Sequence, residues 1–173
     1  MRHPLDFLPE TLRKPVFWAA LLLTVACFAI FQGLDQPLKT PASTGIVAFE
    51  LAGSTARSTQ MIASWDARAR NFAAFGLGFD FLFMPIYATT LSAATLLARK
   101  RRPGAWSQAG AILGWSSYLA TLFDAVENIA LFSSLNGSLG NNPQIALGCA
   151  SLKFGLILLS LAYGLVGWLL PAR

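Results

Sequence analysis

Apolar positions run almost unbroken through four stretches of the chain, and polar residues crowd into the joints between them. The stretches cover residues 16–32, 72–98, 105–135 and 145–170. An α-helix needs about 20 apolar residues, with a range of roughly 17 to 25, to cross a bilayer core. The first stretch is barely long enough, while the other three exceed the minimum and must tilt, kink or protrude. The pattern predicts an all-α polytopic membrane protein, a four-transmembrane-helix bundle making one membrane domain over residues 1–173.

Residues 34–70 are the one sizeable piece outside the spans. Their first part, with Pro37, Pro41 and Gly45, reads as loop. Gly53-Ser54 then supplies a break and a helix N-cap, after which Met61, Ile62, Trp65 and Ala69 recur at helical spacing. This predicts an amphipathic helix from about Ser54 to Arg70, lying on the outer surface with Asp66 and Arg70 paired at i, i+4. It reads as a lid or collar on the bundle, with a docking site for a partner as the alternative. At the other end, residues 4–14, with Leu5, Phe7, Leu8 and Leu12, read as a short interfacial segment. Thr24-Val25-Ala26-Cys27 has a lipoprotein-like look, but the apolar run continues through Phe28-Ala29-Ile30-Phe31, so the segment reads as a retained span.

Composition agrees with a bilayer setting. Only 12% of residues are charged and mean hydropathy is +0.55, against roughly 25% charged in a soluble domain. The net charge of +5 is no nucleic-acid signature, because four cations form the single run Arg99, Lys100, Arg101 and Arg102. Counting Lys and Arg beside the spans sets the orientation. With both termini cytoplasmic, Arg2, Arg13, Lys14, Arg99, Lys100, Arg101, Arg102 and Arg173 lie inside, against Lys39, Arg57, Arg68 and Arg70 outside. Trp18, Trp106 and Trp168 then share the cytoplasmic boundary, as an aromatic belt would. The expected location is a cell inner membrane.

Several chemistries are excluded. One His and no Cys-x-x-Cys leave no multi-histidine, zinc or redox motif, and no cofactor or metal is expected. Cys27 and Cys149 read as small buried residues, with a disulfide as the alternative. Gly76-x-Gly78 follows no phosphate-binding strand and reads as a packing notch, as does Gly110 with Gly114.

What remains is a set of ionisable residues inside the spans: Asp80, Asp124, Glu127 and Lys153. Each costs about 2.5 to 3.5 kcal/mol at a helix centre, so they are expected to face inward and meet. At 1.5 Å per residue all four lie about 12 to 16 Å below the outer ends of their spans, in one layer. In the third span Ser117, Thr121, Asp124 and Asn128 recur as a polar stripe with Glu127 beside it, and in the second Tyr87 lies two turns below Asp80. On the fourth, Cys149, Lys153 and Ser160 share a side. Lys153 is expected to partner Glu127 or Asp124, with Asp80 completing the wall. Three acids against one base predict that burial holds at least one carboxyl protonated. The candidate ligand-binding set is therefore Asp80, Asp124, Glu127, Asn128, Lys153, Tyr87 and Thr121. A purely structural polar glue stands beside the functional cavity.

The segments Phe49-Glu50-Leu51-Ala52-Gly53-Ser54, Ser64-Trp65-Asp66, Asp80-Phe81-Leu82-Phe83-Met84-Pro85-Ile86-Tyr87, Asp124-Ala125-Val126-Glu127-Asn128 and Leu152-Lys153-Phe154 resemble those of a group of uncharacterised bacterial membrane proteins. The resemblance implies a four-span inner-membrane protein and carries no activity with it. Three functions compete. A noncatalytic binder of a lipid or small molecule, or an accessory subunit of a membrane complex, needs only a cavity with few polar anchors. An intramembrane acid-base enzyme acting on a lipid needs one ionised and one protonated carboxyl. A proton-coupled transporter, most simply a homodimer, needs a path such as the hydroxyls of Tyr87, Thr89, Thr90, Ser92 and Thr95 offer; such hydroxyls also bond to their own helix. The partners expected are the lipid bilayer, a lipid or small-molecule ligand, and a membrane protein or second copy, with no nucleic acid.

Overall fold

A computed structural model describes residues 1–100 and 103–169. Four long helices carry most of the chain: α1 (Glu10–Asp35), α4 (Ala67–Arg99), α5 (Ala105–Leu135) and α6 (Asn142–Leu169). Between α1 and α4 lie a 3-10 turn (Gln36–Leu38), a two-stranded hairpin of β1 (Lys39–Thr40) and β2 (Ser43–Thr44), and two short helices, α2 (Ile46–Glu50) and α3 (Thr55–Ser64). The hairpin is antiparallel, pairing Lys39 with Thr44 and Thr40 with Ser43.

Local chemistry sets the ends of these elements. Pro37 stops α1, because it has no N–H to bond the Gly33 carbonyl, and the chain tightens there into the 3-10 turn. Asp35 then caps α2, its Oδ1 accepting the Ile46 N–H at 2.6 Å. The intervening Gly45 has φ +127°, and a Cβ there would collide with the Asp35 carboxylate. After α5, Gly137 adopts φ +92° while its N–H donates to Ser134 and that of Ser138 to Ser133. That double bond pattern closes the last turn in the Schellman manner.

Among the described residues, three helices are long and apolar enough to cross a membrane: Glu10–Leu38, Ala67–Arg99 and Asn142–Leu169. The stretch expected to be the third span is a helix, α5, with the expected bounds, but Asp124, Glu127, Asn128 and its hydroxyls keep it out of that apolar set. The 170 end of the last expected span lies outside the described residues.

Contacts divide the chain into two compact units, the division passing through all four long helices. Unit 1 comprises Met1–Val25, Met84–Leu122 and the chain from Lys153; unit 2 comprises Ala26–Phe83 and Phe123–Leu152. In unit 2 the connecting segment is more structured than its prolines suggest. Leu38, Phe49, Met61 and Trp65 form one core with Ala73 and Leu77 of α4, Leu131 of α5 and Ala146 of α6. The Trp65 indole donates to the Leu38 carbonyl at 2.9 Å and meets Phe49 edge-on. Burying each such side chain contributes roughly 1.5 to 3 kcal/mol, enough to seat a ten-residue helix that would not be stable alone.

The expected helix from Ser54 to Arg70 is two helices. Ser54 is the N-cap, accepting from the Arg57 N–H, but α3 ends at Ser64. Asp66 then caps α4 through the Ala69 N–H at 2.7 Å, and Arg70 turns back to the carbonyls of Trp65 and Ile62 at the end of α3. Both side chains serve helix termini, which explains why they replace the expected i, i+4 pair. Cys27 is buried, Cys149 half-buried, and no disulfide joins them. Gly76 and Gly78 are not packing notches, since no heavy atom beyond the adjoining backbone of their own helix lies within 4 Å of a Cβ built at either. Gly110 and Gly114 are: a Cβ would strike Tyr163 and Arg99 at the first, and the His3 ring at the second.

Unit 1 gathers Trp18 and Trp168, 5.9 Å apart edge to face, and Trp106 stacked on Tyr163. The N-terminal segment is only partly interfacial in character. Phe7 and Leu12 are exposed, but His3 and Leu5 are buried. The His3 Nδ1 accepts the Leu5 N–H, and its Nε2 meets the Thr95 hydroxyl at 3.1 Å, which itself donates to the Ser92 carbonyl. This chain of bonds places the imidazole proton on Nε2. Arg99 donates to both oxygens of Asp6, at 3.3 and 3.2 Å, fastening this strap to the end of α4.

Candidate functional site

Helix α5 is built inside out. Its buried positions include Gly110, Gly114, Ser117, Asp124, Glu127, Asn128, Leu131 and Ser134, a repeat of three and four residues. Its exposed large apolar side chains are Ile112, Trp115, Leu119, Leu122, Val126, Ile129 and Phe132, while Gln108 in the first turns is exposed as well. Glu127 is 0% exposed and Leu122 64% exposed. A water-facing helix shows the opposite order, with its apolar stripe inward. Helix α6 repeats the scheme, burying Ala146, Ala150, Lys153 and Ser160 while exposing Leu152, Leu158, Leu159 and Leu165.

In unit 2 the polar stripe of α5 meets α4. The Asn128 amide donates Nδ2–H to Asp80 Oδ2 at 2.7 Å, the length of a charge-assisted bond. Asp80 is half-buried, while Asp124 and Asn128 are buried one helical turn apart. Glu50, at the end of α2, is a further buried carboxyl of the same unit, 8% exposed. Sequence reasoning missed it because residues around Pro41 and Gly45 read as loop outside the spans. Its signal was the apolar setting of Val47-Ala48-Phe49, whose turn into a helix carries Glu50 inward.

The remaining candidates belong to unit 1. Lys153 is buried at 5% exposure, with Nζ 4.8 Å from the centroid of the Phe154 ring, a cation–π geometry. Tyr87 is buried. Thr121 is half-buried and its hydroxyl donates to the carbonyl of Tyr118 on its own helix. The hydroxyls of Thr90 and Thr95 likewise donate to the Ile86 and Ser92 carbonyls, and that of Ser117 donates to the Leu113 carbonyl and lies 3.2 Å from the Ser160 hydroxyl.

His3 is a second residue that the sequence reading passed over, since a lone histidine near a terminus carries no spacing signal. Burial first, and the Arg99 charge second, lower its pKa from 6.5 to about 4. Partial burial pushes the Asp6 carboxyl up, but the His3 backbone N–H at 2.7 Å and Arg99 outweigh it and hold Asp6 below the usual range.

Chemically, the unit 2 set offers carboxylate and carboxamide oxygens and one amide N–H donor, suited to hydroxyl, amine or amide groups. Among the described residues, no three His, Cys, Asp or Glu side chains are grouped to hold a metal ion. No family model, curated protein or solved structure matches the chain.

Proposed function

We propose that the chain is an inner-membrane protein with four spans, α1, α4, α5 and α6, and both termini in the cytoplasm. In this reading the inward polar face in unit 2, formed by Asp80, Asp124, Glu127, Asn128 and Glu50, holds the polar part of a lipid or small molecule without catalysing its conversion. The supporting observation is the inversion of α5. A helix that buries Asp124, Glu127 and Asn128 while exposing Leu119, Leu122, Val126 and Ile129 is suited to hydrocarbon outside and a polar partner inside. Adding α5 to the three apolar helices gives the even number of crossings that the Lys/Arg distribution requires. The hydroxyls of Thr90 and Thr95 are engaged by their own helix carbonyls, which lends no support to a proton path through them.

The test is to purify the protein from its native membrane, extract it and compare co-purified small molecules by mass spectrometry in wild type, Asp124→Asn and Glu127→Gln. The reading expects one compound or lipid class enriched in wild type and lost in both variants. A wild-type extract with the composition of the bulk membrane would contradict it.

A further inference from the structure

Within unit 1, Met1 of the N-terminal strap and the exposed face of α5 border an open groove of about 600 Å³, its apolar lining Ile112, Trp115, Leu119 and Leu122 with Ser116, Tyr118 and Thr121 between them. That volume falls within the range of roughly 300 to 1,000 Å³ typical of ligand sites. From Ile112 to Leu122 the helix rises about 15 Å, half of a bilayer core about 30 Å thick. The groove thus has the length of one leaflet. The polar atoms along it are already engaged, because the hydroxyls of Ser116 and Thr121 donate to the Ile112 and Tyr118 carbonyls. What it offers a ligand is an apolar trough.

One rim is charged. The Trp115 indole donates to the Arg2 carbonyl at 3.1 Å, pinning the strap against the groove, and Arg2 is exposed. Arg99 pairs with Asp6, and Arg13 and Lys100 share the single carboxylate of Glu10. Among the described residues no ion pair involves Arg2. An apolar trough one leaflet long, with an uncompensated guanidinium at its rim, is complementary to an acyl chain carrying an anionic head.

We propose that this groove binds an anionic phospholipid, one acyl chain lying along α5 between Met1 and Leu122 and the phosphate meeting Arg2. The proposal rests on the membrane placement above but not on the carboxylates of unit 2.

Tryptophan quenching tests it in vesicles of phosphatidylcholine and phosphatidylglycerol, with brominated chains on one lipid or the other. The Trp115 signal is the difference between wild type and Trp115→Phe. Phosphatidylglycerol should quench that signal as strongly as phosphatidylcholine at about five times the mole fraction, the preference one basic residue confers near anionic lipid. Arg2→Gln should abolish the preference, and Lys14→Gln, at another exposed cation, should leave it. Native mass spectrometry of protein extracted from the same vesicles should show phosphatidylglycerol adducts that Arg2→Gln loses. Equal quenching by both lipids in wild type, or a preference that survives Arg2→Gln, would overturn the site while leaving the membrane placement standing. Absence of quenching by either lipid would overturn both.

Discussion

Asn128 on α5 reaches Asp80 on α4 through a single 2.7 Å bond, joining two helices inside unit 2. Asn128→Ala removes the donor and leaves a half-buried carboxylate short of one partner. Interhelical bonds in membranes average about 0.6 kcal/mol and reach about 1.7 kcal/mol, while bonds to charged groups run to about 1.5 to 3 kcal/mol. A loss of about 1 kcal/mol or more is expected for Asn128→Ala in detergent unfolding. The double variant with Asp80→Ala should lose less than the sum of the singles. Strict additivity would show that the bond carries no coupling.

Two glycines of α6 should respond oppositely to alanine. A Cβ at Gly167 would strike Ala98 of α4, including its backbone Cα, whereas nothing lies within 4 Å of one at Gly148. Overpacking costs about 1 to 3 kcal/mol and the helix propensity of alanine returns about 1 kcal/mol. Gly167→Ala is therefore expected to lower the melting temperature, and Gly148→Ala to hold or raise it. Equal effects would contradict the close approach of α4 and α6 at Gly167.

The strap makes stability depend on pH through His3. Its pKa falls from 6.5 to about 4 on folding, so between those values the unfolded chain binds a proton that the folded chain excludes. The stability that neutral His3 contributes is complete above pH 6.5 and declines as pH falls toward 4. Melting temperatures at about pH 7.5 and about pH 5 should differ more for wild type than for His3→Gln, which cannot titrate. The same pH dependence in both would remove His3 from the account.

Four long helices were legible because apolar runs of membrane length leave little choice of element, and α5 matches its expected bounds at both ends, but α1 begins at Glu10, inside the segment expected to be interfacial, and α4 at Ala67, ahead of the apolar run. The polar stripe was legible for the same reason: of Ser117, Thr121, Asp124 and Asn128, which share a face at helical spacing, Thr121 is half-buried and the other three are buried. Two things were not. The break between α3 and α4 depends on Asp66 and Arg70 choosing helix ends over each other, a competition that spacing cannot decide. The inward turn of Glu50 and of His3 depends on tertiary partners far away in sequence, such as Trp65 beside Phe49 and Thr95 beside His3.

Trp65 gives an optical check on the connecting segment. It is 2% exposed, with its indole N–H on the Leu38 carbonyl. Its emission, isolated as the difference from Trp65→Phe, should be blue-shifted and protected from aqueous iodide. Free quenching by iodide would contradict the packing of α3 against α4.

The inversion of α5 is the claim on which the membrane reading and the polar site both depend, and a spin-label accessibility scan along it is the most direct test. With Cys27 and Cys149 replaced, single labels are placed from Ser117 to Phe132 in protein reconstituted into bilayers. Labels at Leu119, Leu122, Val126, Ile129 and Phe132 should collide with oxygen dissolved in lipid and be shielded from a water-soluble nickel reagent. Those at Ser117, Ala120, Asp124 and Glu127 should be shielded from both. Nickel access at Leu122 or Val126, or an oxygen maximum at Asp124 and Glu127, would contradict the account.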